Sequence, residues 1–218
     1  MGPTEQEFRF ALTPPEYARL QSAWGKPQTA VRQANYYLDS PSGALRSRGY
    51  GLRLRIENGR RRLLTLKGPP LEPPGERQLG MSVRAEIETE MSPQAATALL
   101  TGGGLLADLG LPLPNGLEAC RGEHVQVFGR LETERSLHAV ALPYAPPGFR
   151  GEFALDRVHF PNGAVEHELE VEWSGPPGPD LARPLHDFLR GLGIQVRPQP
   201  LSKLARLLRY GGPPGTPA

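Results

Sequence analysis

Cysteine is almost missing from this chain of 218 residues: Cys120 is the single one, which excludes an intramolecular disulfide. The start of the chain lacks the apolar core of a signal peptide, and no apolar run reaches the length that crosses a bilayer. A soluble cytoplasmic protein without membrane association is therefore expected. No block of five or six like charges appears either, and the net charge is only +2, which argues against a generic nucleic-acid or membrane-surface binder. The five histidines show no metal-ligand spacing, and no Ser/His/Asp or Cys/His arrangement points to a nucleophilic enzyme. Gly102-Gly103-Gly104 lacks both phosphate-loop patterns and reads as a plain loop. Lysine is scarce, found only at 26, 67 and 203, so Lys67 and Lys203 stand out among the arginines as positions chosen for their chemistry.

What is present is alternation. In residues 51 to 68, GLRLRIENGRRRLLTLKG, Leu52, Leu54 and Ile56 alternate with Arg53, Arg55 and Glu57 up to an Asn58-Gly59 turn, and Leu64 and Leu66 follow between Thr65 and Lys67. A loop of Asn58 and Gly59 alone would set Leu52 and Leu54 on the face of Lys67. One more residue in the connection puts Arg53, Arg55, Thr65 and Lys67 together with the aliphatics behind them, so an odd-length loop is predicted. The pattern recurs elsewhere. Glu5, Glu7 and Arg9 oppose Phe8, Phe10 and Leu12; Arg84, Glu86, Glu88 and Glu90 oppose Val83, Ala85 and Ile87; and Glu166, Glu168, Glu170 and Glu172 oppose His167, Leu169, Val171 and Trp173. In the strands expected over 124 to 142, Leu131, Thr133 and Arg135 share one face and Arg130, Glu132 and Glu134 the other; periodicity does not say which is inside.

Strands are also expected at 29 to 39 and 149 to 160, the latter carrying Asp156 among Phe153, Leu155 and Val158. Helix starts are read at Thr13-Pro14-Pro15-Glu16, at Ser92-Pro93, near Pro184 and at Ser202. Residues 69 to 78, rich in proline, are expected to form a loop able to act as a lid, and residues 107 to 122 carry no clear pattern. Residues 1 to 210 are assigned to one domain and 211 to 218 to a disordered tail.

About eight strands, several charged on one face, joined by helices with apolar stripes, imply an α+β fold: a closed antiparallel barrel with helices outside and charge within. Its lumen would hold seven acids (Glu5, Glu7, Glu86, Glu88, Asp156, Glu168, Glu170) and six bases (Arg9, Arg53, Arg55, Lys67, Arg135, Lys203). Buried charges survive only when paired, hydrated or metal-bound, and both signs are present. Glu-x-Glu pairs on facing strands suit a hard divalent cation, Mg²⁺ or Mn²⁺, and the Arg and Lys residues suit phosphate oxygens, so the expected ligand is a short polyphosphate. Arg157 and Glu172 are read as surface residues, His167 as packed on the apolar face, and Cys120 as inert.

These motifs in order, Glu5-Gln6-Glu7-Phe8-Arg9, Tyr37-Leu38-Asp39, Leu52-Arg53-Leu54-Arg55, Leu64-Thr65-Leu66-Lys67-Gly68, Glu86-Ile87-Glu88, Thr133-x-Arg135, Leu155-Asp156-Arg157, Glu168-Leu169-Glu170 and Ser202-Lys203, resemble the CYTH family of triphosphate tunnel metalloenzymes. The resemblance spans about residues 4 to 209 and implies an eight-stranded tunnel. It implies that Glu5, Glu7, Glu168 and Glu170, with Asp156, hold the metal, and that Glu86 and Glu88 help a second metal or orient water. It further implies that Arg9, Arg53, Arg55, Lys67, Arg135 and Lys203 bind triphosphate, with Lys67 also catalytic. Arg9 departs from the family, which usually has lysine there. The activity implied is hydrolysis of inorganic triphosphate to diphosphate and phosphate by a monomer or homodimer. Thiamine triphosphatase, adenylate cyclase and a non-catalytic triphosphate or nucleotide sensor are the alternatives.

Overall fold

The computed structural model describes residues 4–72, 75–76, 79–145, 147, 149–174 and 179–210. Its strands are β1 (Thr4–Leu12), β2 (Thr29–Asp39), β3 (Gly51–Glu57), β4 (Arg61–Pro70), β5 (Met81–Glu90), the two-residue β6 (Gly104–Leu105), β7 (His124–His138), β8 (Arg150–His159) and β9 (Val165–Ser174). They pair antiparallel in the order β2-β3-β4-β5-β1-β9-β8-β7-β6, and pairing of β2 with β7 closes eight of them into a barrel, with β6 as an outer appendage. The α-helices among the described residues include α1 (Pro14–Trp24), α2 (Pro93–Gly102), α3 (Pro179–Gly191) and α4 (Lys203–Arg209).

The β3–β4 connection has the odd length the sequence requires. Glu57 pairs with Arg61 and Arg53 with Thr65, leaving Asn58, Gly59 and Arg60 as the loop. Asn58 and Gly59 both have positive φ, which Asn tolerates and Gly adopts freely. Leu52, Leu54, Leu64 and Leu66 consequently turn outward into one apolar layer with Leu99 of α2 and Leu106, Leu117 and Cys120 of the following segment. The unpatterned residues thus supply a cover, built on 3₁₀ turns at Leu106–Asp108 and Asn115–Cys120. A second outer layer packs Phe8, Phe10, Phe153, Leu155, Leu169 and Val171 under α1 and α3. His167 lies against Tyr17 there, ring centroids 4.6 Å apart and ring planes tilted by 54°.

Three features differ from the sequence reading. β4 continues through Pro69 and Pro70, because a bulge after Lys67 lets Pro70 lie opposite Arg84 without needing its missing N–H. Residues 73, 74, 77 and 78 of the expected lid, and the expected tail from 211, lie outside the described residues. α3 begins at Pro179 and carries Pro184 in its interior, since burial of Leu181, Ala182, Leu185 and Leu189 holds the helix together on both sides of it. The third concerns the lumen, which is not polar throughout. α4 enters one end of the barrel, where Leu207 joins Tyr37, Leu131, Val158 and Phe160 in an apolar plug. Gly129 of β7 permits this approach, because a Cβ there would stand 2.8 Å from Leu207.

The start of α1 ties the C-terminal segment to the barrel. Glu16 accepts from the backbone and hydroxyl of Thr13, both at 2.8 Å, completing the expected capping box, and also accepts from the Gln195 backbone at 2.9 Å while pairing with Arg197. Glu16→Ala should therefore cost about 1–3 kcal/mol in urea unfolding, more than the roughly 1 kcal/mol expected of Thr13→Ala; equal costs would show that the long-range contacts contribute nothing.

Candidate active site in the barrel lumen

A cavity of about 930 Å³ runs through the lumen. Register places its walls: Arg53 lies opposite Thr65 and Tyr37, Arg55 opposite Asn35, Lys67 opposite Glu86, Thr65 opposite Glu88, and Arg9 opposite Glu170. Of the residues expected in the site, Glu5, Glu7, Arg9, Arg53, Arg55, Lys67, Glu86, Glu88, Arg135, Glu170 and Lys203 line the cavity. Asp156 and Glu168 are fully buried behind its wall, bound to bases. Closure also settles β7: Thr133 and Arg135 face in, while Arg130 and Glu132 pair outside.

The carboxylates form two groups. In the first, oxygens of Asp156, Glu168 and Glu170 lie within 4.8 Å of one another. The Lys203 ammonium sits among them, 2.8 Å from Asp156, 2.6 Å from Glu170 and in contact with Glu168. Arg135 donates to Asp156 through two nitrogens at 2.8 and 2.7 Å and also pairs with Glu170. Burial disfavours all these charges, yet the pairing prevails. It lowers the Asp156 and Glu170 pKa values and raises those of Arg135 and Lys203. Arg206, buried beneath, pairs with Glu166 and Glu168. These acids already hold their cations.

The second group, Glu5, Glu7 and Glu172, also brings its oxygens within 4.8 Å. Burial pushes Glu5 up, but Lys67, 2.5 Å away, more than reverses this and brings it to about 2. Glu7 lies 3.3 Å from Arg9, but burial, with Glu5 and Glu170 nearby, outweighs the bases and drives it to about 8. Burial likewise raises Glu172 and Glu86. Three convergent carboxylates, two of them short of positive charge, fit a hard divalent cation. Glu172 thus belongs to the lumen rather than the surface: it lines the cavity 3.5 Å from Arg135. Its place in the acidic alternation of β9 was the available signal. Arg157 does sit outside, beside Glu134.

Arg55 is held differently from the other bases. Its Nε donates to Asn35 Oδ1 at 3.0 Å, and Glu57 is 3.8 Å away. Burial, with Arg53 and Arg135 close by, lowers it to about 10. Arg53 donates to the Thr65 hydroxyl, which in turn donates to Glu88 at 3.0 Å. Arg84, on the charged face of β5, also lines the cavity and was not among the expected site residues.

A closed antiparallel barrel with acids and bases converging on one internal cavity defines a triphosphate-tunnel type of protein. The chain belongs to the CYTH family: the CYTH domain model matches residues 3–199. Members of this family are triphosphatases or cyclases and depend on a metal. Among solved structures, HpAC1 from Hippeastrum, a candidate adenylyl cyclase with a dominant triphosphatase activity, is similar at 21% identity and a TM-score of 0.78, covering 96% of this chain and 98% of that one. A candidate adenylate cyclase from Bacillus halodurans is 20% identical with a TM-score of 0.66, over 94% and 98% of the two chains. A Pyrococcus horikoshii protein is 20% identical with a TM-score of 0.64, over 95% and 99%. At these identities the likeness shows the fold. No curated protein matches the chain. No helix among the described residues is long and apolar enough to cross a membrane.

Glu7 is protonated in the fold over a range where the unfolded chain has ionised it, so it opposes folding increasingly as pH rises from about 4.5 to about 8. In chelator-treated protein, Glu7→Gln should flatten that decline and raise stability at pH 8 by roughly 1–3 kcal/mol. Thermal unfolding between pH 5 and 8 reads this out, and a parallel decline in variant and parent would contradict it.

Proposed function

We propose that the protein hydrolyses inorganic triphosphate to diphosphate and phosphate in this lumen. The observation that carries the reading is the coexistence, in one cavity, of a cation-deficient carboxylate group, Glu5, Glu7 and Glu172, with the arginines Arg53 and Arg55. The first would hold Mg²⁺ or Mn²⁺, which when bound neutralises phosphate charge and lowers the barrier to attack. The arginines, with Arg9, Lys67, Arg84, Arg135 and Lys203, bind the remaining phosphate oxygens. Asp156, Glu168 and Glu170, expected as metal ligands, serve here as anchors that orient Arg135 and Lys203.

Glu86 and Glu88, adjacent on one face of β5, orient a water at the terminal phosphorus. The water oxygen bonds to phosphorus as the bridging P–O bond breaks, and Glu86, its pKa raised by burial, takes the proton. Lys67, 3.3 Å from Glu86, offsets the charge left on the diphosphate oxygen. An inorganic substrate is favoured over a nucleotide or thiamine triphosphate because the aromatic rings at the cavity are already used. Trp173 stacks on Phe8 at 5.2 Å, Tyr37 belongs to the plug, and Tyr50 packs on the outer aliphatic layer.

Incubating the protein with triphosphate, thiamine triphosphate or ATP, each with Mg²⁺ or Mn²⁺, and measuring phosphate, diphosphate and cyclic AMP tests this directly. Fastest phosphate release from triphosphate is expected; cyclic AMP, or tight binding without turnover, would overturn it. Glu86→Gln should lower kcat by about 10²-fold, the scale of a lost general base. Arg9→Lys, which restores the usual family residue, should hold or raise kcat, and a large loss would mean that Arg9 has a role of its own.

A further inference from the structure

The lumen bases fall into two kinds. Lys67, Arg135 and Lys203 each lie within 2.8 Å of a carboxylate, and Arg9 lies 3.3 Å from one, so much of their charge is offset inside the protein. Arg53 and Arg55 instead rest on neutral groups, Arg53 on the Thr65 hydroxyl and Arg55 on a side-chain amide. Asn35, fully buried beside Arg55 on the inward face and not itself lining the cavity, accepts from Arg55 Nε at 3.0 Å and donates through Nδ2 to Thr133 Oγ1 at 3.4 Å. The two contacts fix which end of the amide faces which neighbour, so its oxygen meets the guanidinium. The nearest carboxylate to Arg55, Glu57 at 3.8 Å, is itself engaged by Gln33 at 3.2 Å.

We infer that Asn35 is a positioning residue that holds Arg55 in place without consuming its charge, leaving that guanidinium as an open binding group for a phosphate of the substrate. This rests on the triphosphate reading above and adds a residue that touches no substrate. The physical reason is specific to the amide. An aspartate would fit the same volume and hold Arg55 at least as firmly, with the Thr133 hydroxyl turning to donate, but it would neutralise the guanidinium and repel phosphate. A purely structural role predicts the opposite order, because the buried ion pair would then be harmless.

The test compares the parent with Asn35→Asp, Asn35→Ala and Arg55→Ala, measuring inorganic triphosphate binding by calorimetry, kcat and KM, and thermal midpoint. Asn35→Asp is expected to keep its midpoint near that of the parent while triphosphate affinity falls about 10- to 100-fold, the scale of a lost charge-assisted contact. Asn35→Ala should weaken binding less than Asn35→Asp even where it lowers the midpoint more, an order that loss of packing does not produce. Adding Asn35→Asp to Arg55→Ala should cost little further affinity, because both act through one guanidinium. Parent-like affinity in Asn35→Asp, or fully additive losses in the double variant, would overturn the inference while leaving the triphosphate reading intact. A parent that binds no triphosphate would overturn both. Should Asn35→Asp fail to fold, the order of Asn35→Ala against Arg55→Ala and their additivity decide the matter.

Discussion

Charge turned inward is the constraint on which the rest of the barrel depends. Closing the antiparallel sheet through β2 and β7 removes its edges, but it also takes a set of acids and bases away from bulk water. Most of that charge is cancelled locally. Asp156, Glu168 and Glu170 surround Lys203 and Arg135, and Glu5 holds Lys67. What is not cancelled is informative: Glu7 lacks enough positive charge to stay ionised, and Arg55 lacks a close carboxylate. A cation and a polyanion would complete these two deficits together.

The lumen is graded along its length. At one end α4 inserts Leu207 among Tyr37, Leu131, Val158 and Phe160, and Arg206 beneath it binds Glu166 and Glu168 with its guanidinium carbon 5.8 Å from the Phe160 ring centre. The same short helix begins with Lys203, so the element that plugs the barrel also delivers a base into its acidic group. Apolar burial on the outer face, under α1, α2 and α3, supplies the favourable free energy against which the ionic interior is assembled.

Much of this was legible in the order of residues. Alternation separated Arg53, Arg55 and Lys67 from Leu52, Leu54 and Leu66, and the Asn58-Gly59 signal, read with the need to keep both faces coherent, yielded the three-residue loop. Thr13, Ser92 and Ser202 cap their helices as local rules require. Pro184 misled because the proline rule is local, while burial of Leu181 and Ala182 before it is tertiary. Glu172 was misplaced for a related reason. A strand with four alternating acids does not reveal where its inward face meets solvent, and only the pairing of Glu7 with Glu172 across β1 and β9 draws it into the lumen.

The sequence alone determined which side chains share a face, where the capped helices α1, α2 and α4 begin and that both signs of charge line the inward face, because those properties follow from periods of two and of 3.6 residues and from contacts within a few positions. Tertiary structure decided which acid meets which base, which carboxylates remain in want of a cation, and that Asn35 stands behind Arg55. These depend on barrel closure and on the entry of α4, which bring together residues far apart in the chain through burial and register that no local pattern encodes.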